Sequence, residues 1–115
     1  MSVQRIGTTP RYSDVVIHGG VAYLVEVPSS DDTDIVTQTR ELLASLDASL
    51  KRAGSDRSRL LMATVYLTDL ADYDAMNAVW DAWIPGGSAP ARACVRVAGL
   101  ARPGWKIEIA ATAAI

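Results

Sequence analysis

Arg92 is the residue whose setting demands an explanation in chemical terms. Pro90 to Val97 has the composition of a β-strand. The period of two then puts Arg92, Cys94 and Arg96 on one face and Ala91, Ala93, Val95 and Val97 on the other. A guanidinium within an apolar strand calls for an anion, supplied either by the protein or by a ligand. Glu108 is the acidic candidate, on a second apolar stretch, Trp105 to Ala113, where it shares a face with Lys106, Ala110 and Thr112. If these two strands lie near one another, acid and base share a face, and two readings stand open. One is a structural ion pair, which spacing alone favours. The other is a site in which Glu108 activates a water while Arg92 grips an anion at two points.

The remaining reactive residues carry less. Cys94 is the only cysteine and His18 the only histidine, and nothing in the pattern brings them together as a nucleophile and its base. A small buried cysteine and a histidine at a turn are the expected roles. One His with no His or Cys spaced around it also argues against a zinc site. Gly19-Gly20 and Gly86-Gly87 lack the Lys and Ser/Thr of a phosphate loop, so turns explain them better. Tyr12, just before a predicted strand, can line a pocket or simply pack.

These residues need a scaffold, and the rest of the chain supplies its elements. Val3 to Ile6 reads as a short strand that Pro10 stops from continuing. Ser13 to Ile17 and Val21 to Val27 flank His18-Gly19-Gly20 as a hairpin. Between Asp34 and Ala53, Ile35, Leu42, Leu43, Leu46 and Leu50 fall on one helical stripe, and Gly54 ends the helix. Leu60 to Leu67 is apolar on both faces, as in a central strand with a cover on each side; in so small a protein the second cover can be another subunit. Asp69 or Asp72 opens a second helix to about Trp83, whose Met76, Val79, Trp80 and Trp83 stripe is expected to be core. The order strand, hairpin, helix, strand, helix, strand, strand predicts an α+β fold with a mixed sheet and both helices on one face.

Composition narrows the function classes. The 115 residues form one expected domain, 1-115, and 50% of them are hydrophobic. Eleven Lys and Arg are interspersed with thirteen Asp and Glu for a net charge of -2, a poor match to a phosphate backbone, so no nucleic-acid partner is expected. One cysteine forms no intramolecular disulfide, and neither a signal peptide nor a membrane-spanning run is visible; a cytoplasmic setting and no membrane partner follow as expectations.

Several of these pieces, in this order, resemble the RidA family (YjgF-like, formerly L-PSP endoribonucleases) over nearly the whole chain. They are Arg11 to Val16, Gln38-Thr39 with Leu42-Leu43, Ala53 to Asp56, Val65 to Leu70, Met76 to Trp80, Pro90 to Val95 and Lys106 to Ile109. The Trp80-Asp81-Ala82-Trp83 segment looks most like the YoaB-type branch.

The resemblance implies a chorismate-mutase-like protomer that assembles as a homotrimer with clefts between subunits. It also implies hydrolysis of reactive 2-imino or enamino acids to 2-keto acids and ammonia, with no metal or organic cofactor. By motif position Arg92 would bind the carboxylate of a small metabolite, Glu108 would position the attacking water, Cys94 would line the cleft and Tyr12 would close it. The alternative of a different class is a non-catalytic trimer that binds a small metabolite or a partner protein at the same cleft. One local difference stands out: where the family has a glycine at the end of the second hairpin strand, this chain reads Leu24-Val25-Glu26-Val27-Pro28. Glu26 or Val25 is therefore expected to crowd the cleft, and the Glu26 carboxylate to be a possible partner for Arg92.

Overall fold

The computed structural model describes residues 2–115. Its strands are β1 (Gln4–Ile6), β2 (Val15–His18), β3 (Val21–Glu26), β4 (Leu60–Leu67), β5 (Ala91–Arg96) and β6 (Ile107–Ala114), with helices α1 (Ile35–Arg52) and α2 (Tyr73–Trp83). The strands form one mixed sheet in the order β1-β2-β3-β6-β4-β5. This is the α+β architecture expected.

Local chemistry explains the boundaries. Gly19 and Gly20 both have positive φ, 60° and 79°, as a two-residue turn matched to strand twist requires, so β2 and β3 form the predicted hairpin. Asp34 itself caps α1: its Oδ1 accepts from the Thr37 backbone N–H at 2.7 Å. Lys51 and Arg52 occupy the last turn, where the helix dipole favours cations, and Gly54 follows with φ of 80°. The second helix opens at Asp72, one of the two starts expected, but without the side-chain cap. Asp69 caps a single 3-10 turn, Leu70–Asp72, and Asp72 makes no side-chain capping bond to α2.

The topology follows from two crossovers. β4, α2 and β5 form a unit whose strands are parallel neighbours, as a helical connection requires. β3 and β4, joined through α1, leave a gap that the C-terminal β6 fills, antiparallel to both. Both helices therefore lie on one face. There Leu42, Leu46 and Leu50 of α1 and Met76 and Trp80 of α2 pack onto Val65, Ile107 and Ile109 of the sheet. Truncating any one of these leucines to alanine removes about 2–5 kcal/mol.

The opposite face of the sheet has no cover among the described residues. Tyr23, Val25, Met62 and Val95 are 48%, 56%, 39% and 42% exposed there, an apolar surface of the kind soluble proteins usually bury. The two-sided apolarity of Leu60 to Leu67 is thus half explained by the helices and half left to this bare face. Among the described residues, no helix is long and apolar enough to cross a membrane.

Candidate functional site

The face on which each residue sits decides what it can meet. Arg92 is in register with Ala63 of β4 and Cys94 with Val65, and both β4 residues are fully buried on the helix side. Arg92 and Cys94 therefore face the helices, at the open edge that β5 forms. The apolar alternates Ala93 and Val95 look out on the bare face. Arg92 reaches α2: its Nη2 donates to Asn77 Oδ1 at 2.7 Å, Nη1 lies 4.0 Å from Met76 Sδ, and the guanidinium sits 5.1 Å from the Trp80 ring centroid.

All three contacts are neutral. Among the described residues, the ion pairs are those of Lys51, Arg52, Arg57 and Arg102, and none involves Arg92. The structural ion pair that spacing alone favoured is absent. Arg92 keeps an uncompensated charge, half-buried, beside a depression of about 410 Å³ lined by Leu70, Tyr73 and Cys94.

Glu108 stands elsewhere. It is in register with Tyr66, on the bare face, while its neighbours Ile107 and Ile109 point into the core. The shared face expected for Arg92 and Glu108 is therefore corrected: β4 separates their strands, and the two side chains leave the sheet in opposite directions. Strand periodicity kept Arg92 with Cys94, and Glu108 with Ala110 and Thr112, but not Lys106, which precedes β6 and donates its Nζ to Thr33 O at 2.9 Å; nor could it say which face of one strand continued which face of the other.

Glu26 also departs from expectation. It lies on the helix side of β3, where its Oε1 accepts from Ser49 Oγ of α1 at 2.6 Å. Burial pushes its carboxyl above the ordinary value, the Ser49 bond opposes this, and Asp14 and Arg52 add smaller pushes up and down. It does not pair with Arg92, since β6 and β4 lie between their strands. Val25 points from the bare face instead and, with Tyr23, Met62 and Thr64, lines a shallow trough of about 350 Å³. Tyr12 is 63% exposed in the loop between β1 and β2, its backbone tied to Thr9, on the far side of the sheet from β5.

Cys94 is a half-buried free thiol. Burial pushes its pKa up and the Arg92 charge pulls it down by less, so the thiol form prevails at neutral pH and nucleophilic use is disfavoured. His18 lies four strand positions away, at the end of β2. The structure thus brings Arg92 and Cys94 together and sets Glu108, Tyr12 and Glu26 apart from them.

Two contacts of Arg92 went unread in the sequence. Asn77 and Trp80 were visible only as parts of a motif and a core stripe. Their i and i+3 spacing, with Met76 alongside, was the available signal that one helix face meets the strand arginine.

The Endoribonuclease L-PSP family model matches residues 2–115. The chain belongs to this family. It is 46% identical over 114 residues to a RutC family protein of Haemophilus ducreyi, covering 98% of this chain and 97% of the relative. The RutC family protein YoaB of Escherichia coli is 45% identical over 115 residues, the full length of both. Among solved structures, a YjgF family protein of Neisseria meningitidis superposes with a TM-score of 0.94 at 46% identity, covering 99% of this chain and 95% of that one. A Rid family protein of Yersinia pestis does so with 0.92 at 25% identity, covering 99% and 100%. The YjgF/RutC fold is therefore shared across the whole chain.

Proposed function

We propose that this protein hydrolyses small 2-imino or enamino acids to 2-keto acids and ammonia, at clefts between the subunits of a homotrimer. The observation that carries the reading is the Arg92 guanidinium, held in place by neutral groups and left without a carboxylate partner. A planar fork of this kind suits two-point binding of a substrate carboxylate. Glu108 faces away from Arg92 within one chain, so the reading requires a neighbouring chain to bring its own Glu108 to the Arg92 edge. The bare apolar face supplies a surface for that association.

In the cleft, Glu108 accepts a hydrogen bond from a water and orients its oxygen toward the imine carbon. The C–O bond forms as the C=N π bond breaks, and a proton of the water passes to nitrogen to give the carbinolamine. Its hydroxyl proton then passes to the amine, the C–N bond breaks, and ammonia leaves as the C=O of the keto acid forms. Cys94 lines the cleft as a neutral thiol, and Tyr12 closes it from another chain's loop.

The test uses iminopyruvate generated in situ, with pyruvate release followed over the buffer rate. Arg92→Ala is expected to lower kcat/KM about a hundredfold, the scale of losing a charge-assisted hydrogen-bonded pair. A wild-type rate equal to buffer refutes the proposal. The separation of Arg92 from Glu108 favours a second reading, a carboxylate-binding trimer without catalysis; it predicts stabilisation by 2-keto acids in the absence of turnover. The net charge of -2 gives the ribonuclease sense of the family name no support here.

A further inference from the structure

We propose that Asn77 and Trp80 are positioning residues that fix the Arg92 guanidinium while leaving its charge free for a ligand carboxylate. The proposal rests on the function proposed above and concerns how its anion site is built.

Arginine carries about 2 kcal/mol of side-chain rotamer entropy, which a ligand must overcome if the side chain is mobile. Proteins usually immobilise arginine with a carboxylate, but that also neutralises it. Here the work is done without an anion. Asn77 Oδ1 takes one of the five guanidinium N–H groups, Trp80 covers its face through the ring, and Met76 offers only a weak sulfur acceptor. The remaining N–H edge and the full positive charge stay unspent.

The brace is stiff because the core holds it. Met76 is fully buried and Trp80 is 4% exposed, both locked in the same cluster as Leu67 and Ile107. Asn77 follows Met76 on α2 and is half-buried. Its side chain makes no other hydrogen bond among the described residues than the one to Arg92. An amide at this position is thus committed to the arginine and to nothing else. Trp80 packs the core with its body while its ring faces the cation, so one side chain serves both purposes.

Two substitutions separate this role from mere packing. Asn77→Ala frees Arg92; Asn77→Asp keeps the shape but puts a carboxylate against it. If Asn77 is only structural, the isosteric Asp is the milder change. If it positions a free cation, Asp is the more damaging to ligand binding, because it supplies the anion that the ligand should be.

The experiment measures pyruvate affinity by calorimetry, kcat and KM for iminopyruvate, melting temperature, and exchange of the Arg92 Nε–H by NMR. Asn77→Ala is expected to raise KM and the pyruvate Kd about tenfold, with kcat within about twofold and the fold intact. Its Arg92 Nε–H is expected to exchange faster than in the wild type. Asn77→Asp is expected to weaken pyruvate binding further than Asn77→Ala. Wild-type affinity and unchanged Nε–H exchange in Asn77→Ala overturn the proposal while the proposed function stands. So does an Asn77→Asp protein that binds pyruvate better than Asn77→Ala. A wild-type protein that neither binds pyruvate nor turns over the imine refutes the proposed function, and this inference with it.

Discussion

Because Arg92 and Glu108 leave the sheet on opposite faces, the proposed site makes a sharp prediction about mixtures of two inactive proteins. Within one chain the two residues are two strand spacings and three residues apart, about 14 Å between backbones, and point away from each other. No cleft can then draw both residues from one subunit. Arg92→Ala removes one half of every cleft in a homotrimer and Glu108→Ala the other half, so each variant alone is expected to be inactive. In trimers assembled at random from equal amounts of both, a cleft is intact when the Glu108→Ala chain supplies arginine and the Arg92→Ala chain supplies glutamate. Each condition holds half the time, so about one quarter of the clefts are intact in the unselected population; every trimer that holds both chains has one intact cleft of its three, so the doubly purified trimers should return about one third of wild-type activity. Co-expression of differently tagged chains, sequential purification on both tags and the iminopyruvate assay give the measurement, with light scattering to confirm the assembly. If the purified mixed oligomers show only the sum of the two homotrimer rates, the site does not span two chains and the reasoning fails.

Two further predictions concern the scaffold. Gln38 is fully buried; its Nε2 donates to Gly104 O at 2.8 Å and its Oε1 accepts from Lys106 N at 2.8 Å, fixing the turn that launches β6 and Glu108. Gln38→Ala strands the Lys106 N–H and opens a cavity, a loss of about 3 kcal/mol or about 12 °C in Tm for a chain of this length, and a drop below about 3 °C by calorimetry would show that water replaces the amide. Glu26 has its folded pKa raised by burial, so the folded state binds its proton more tightly than the unfolded one. Its contribution is therefore fully favourable below the ordinary value of 4.5 and is lost as pH rises through the folded value. Urea titrations should find Glu26→Gln more stable than the wild type at pH 8 and the advantage vanishing at pH 4; a constant difference between the two would refute the assignment.

The elements were legible in the sequence wherever the signal was local. The α1 stripe, the Asp34 region, Gly54 and the Gly19-Gly20 turn each act within a few residues, and the helix ends fall within a residue of the expected ones. The faces were less legible. In β5 the apolar alternates Ala93 and Val95 look like the inner side, yet Arg92 and Cys94 face the helices. An edge strand beyond the main helix cover reverses the usual pattern, and only the register with Ala63 and Val65 reveals it. Glu26 was misplaced for a related reason: its partner, Ser49, is 23 residues away on a helix whose rotation no spacing on β3 encodes. The insertion of β6 between β3 and β4 was likewise invisible, since it depends on which gap the last strand fills.

The two surfaces that sequence reasoning found hardest to explain are connected by this topology. β6 at the centre of the sheet carries Ile107 and Ile109 into the core and Glu108 to the bare face, so the strand that completes the fold necessarily exports its one acid to the unpaired side. β5, paired on one edge only, keeps its arginine at the rim of the helix layer, where Asn77 and Trp80 hold it without neutralising it. A lone chain therefore exposes an apolar face bearing an acid and an edge bearing an unmatched cation. On the proposed reading a neighbour that covers the face brings its Glu108 to the cleft to hold a water, while Arg92, braced by neutral groups, takes the carboxylate of a small molecule.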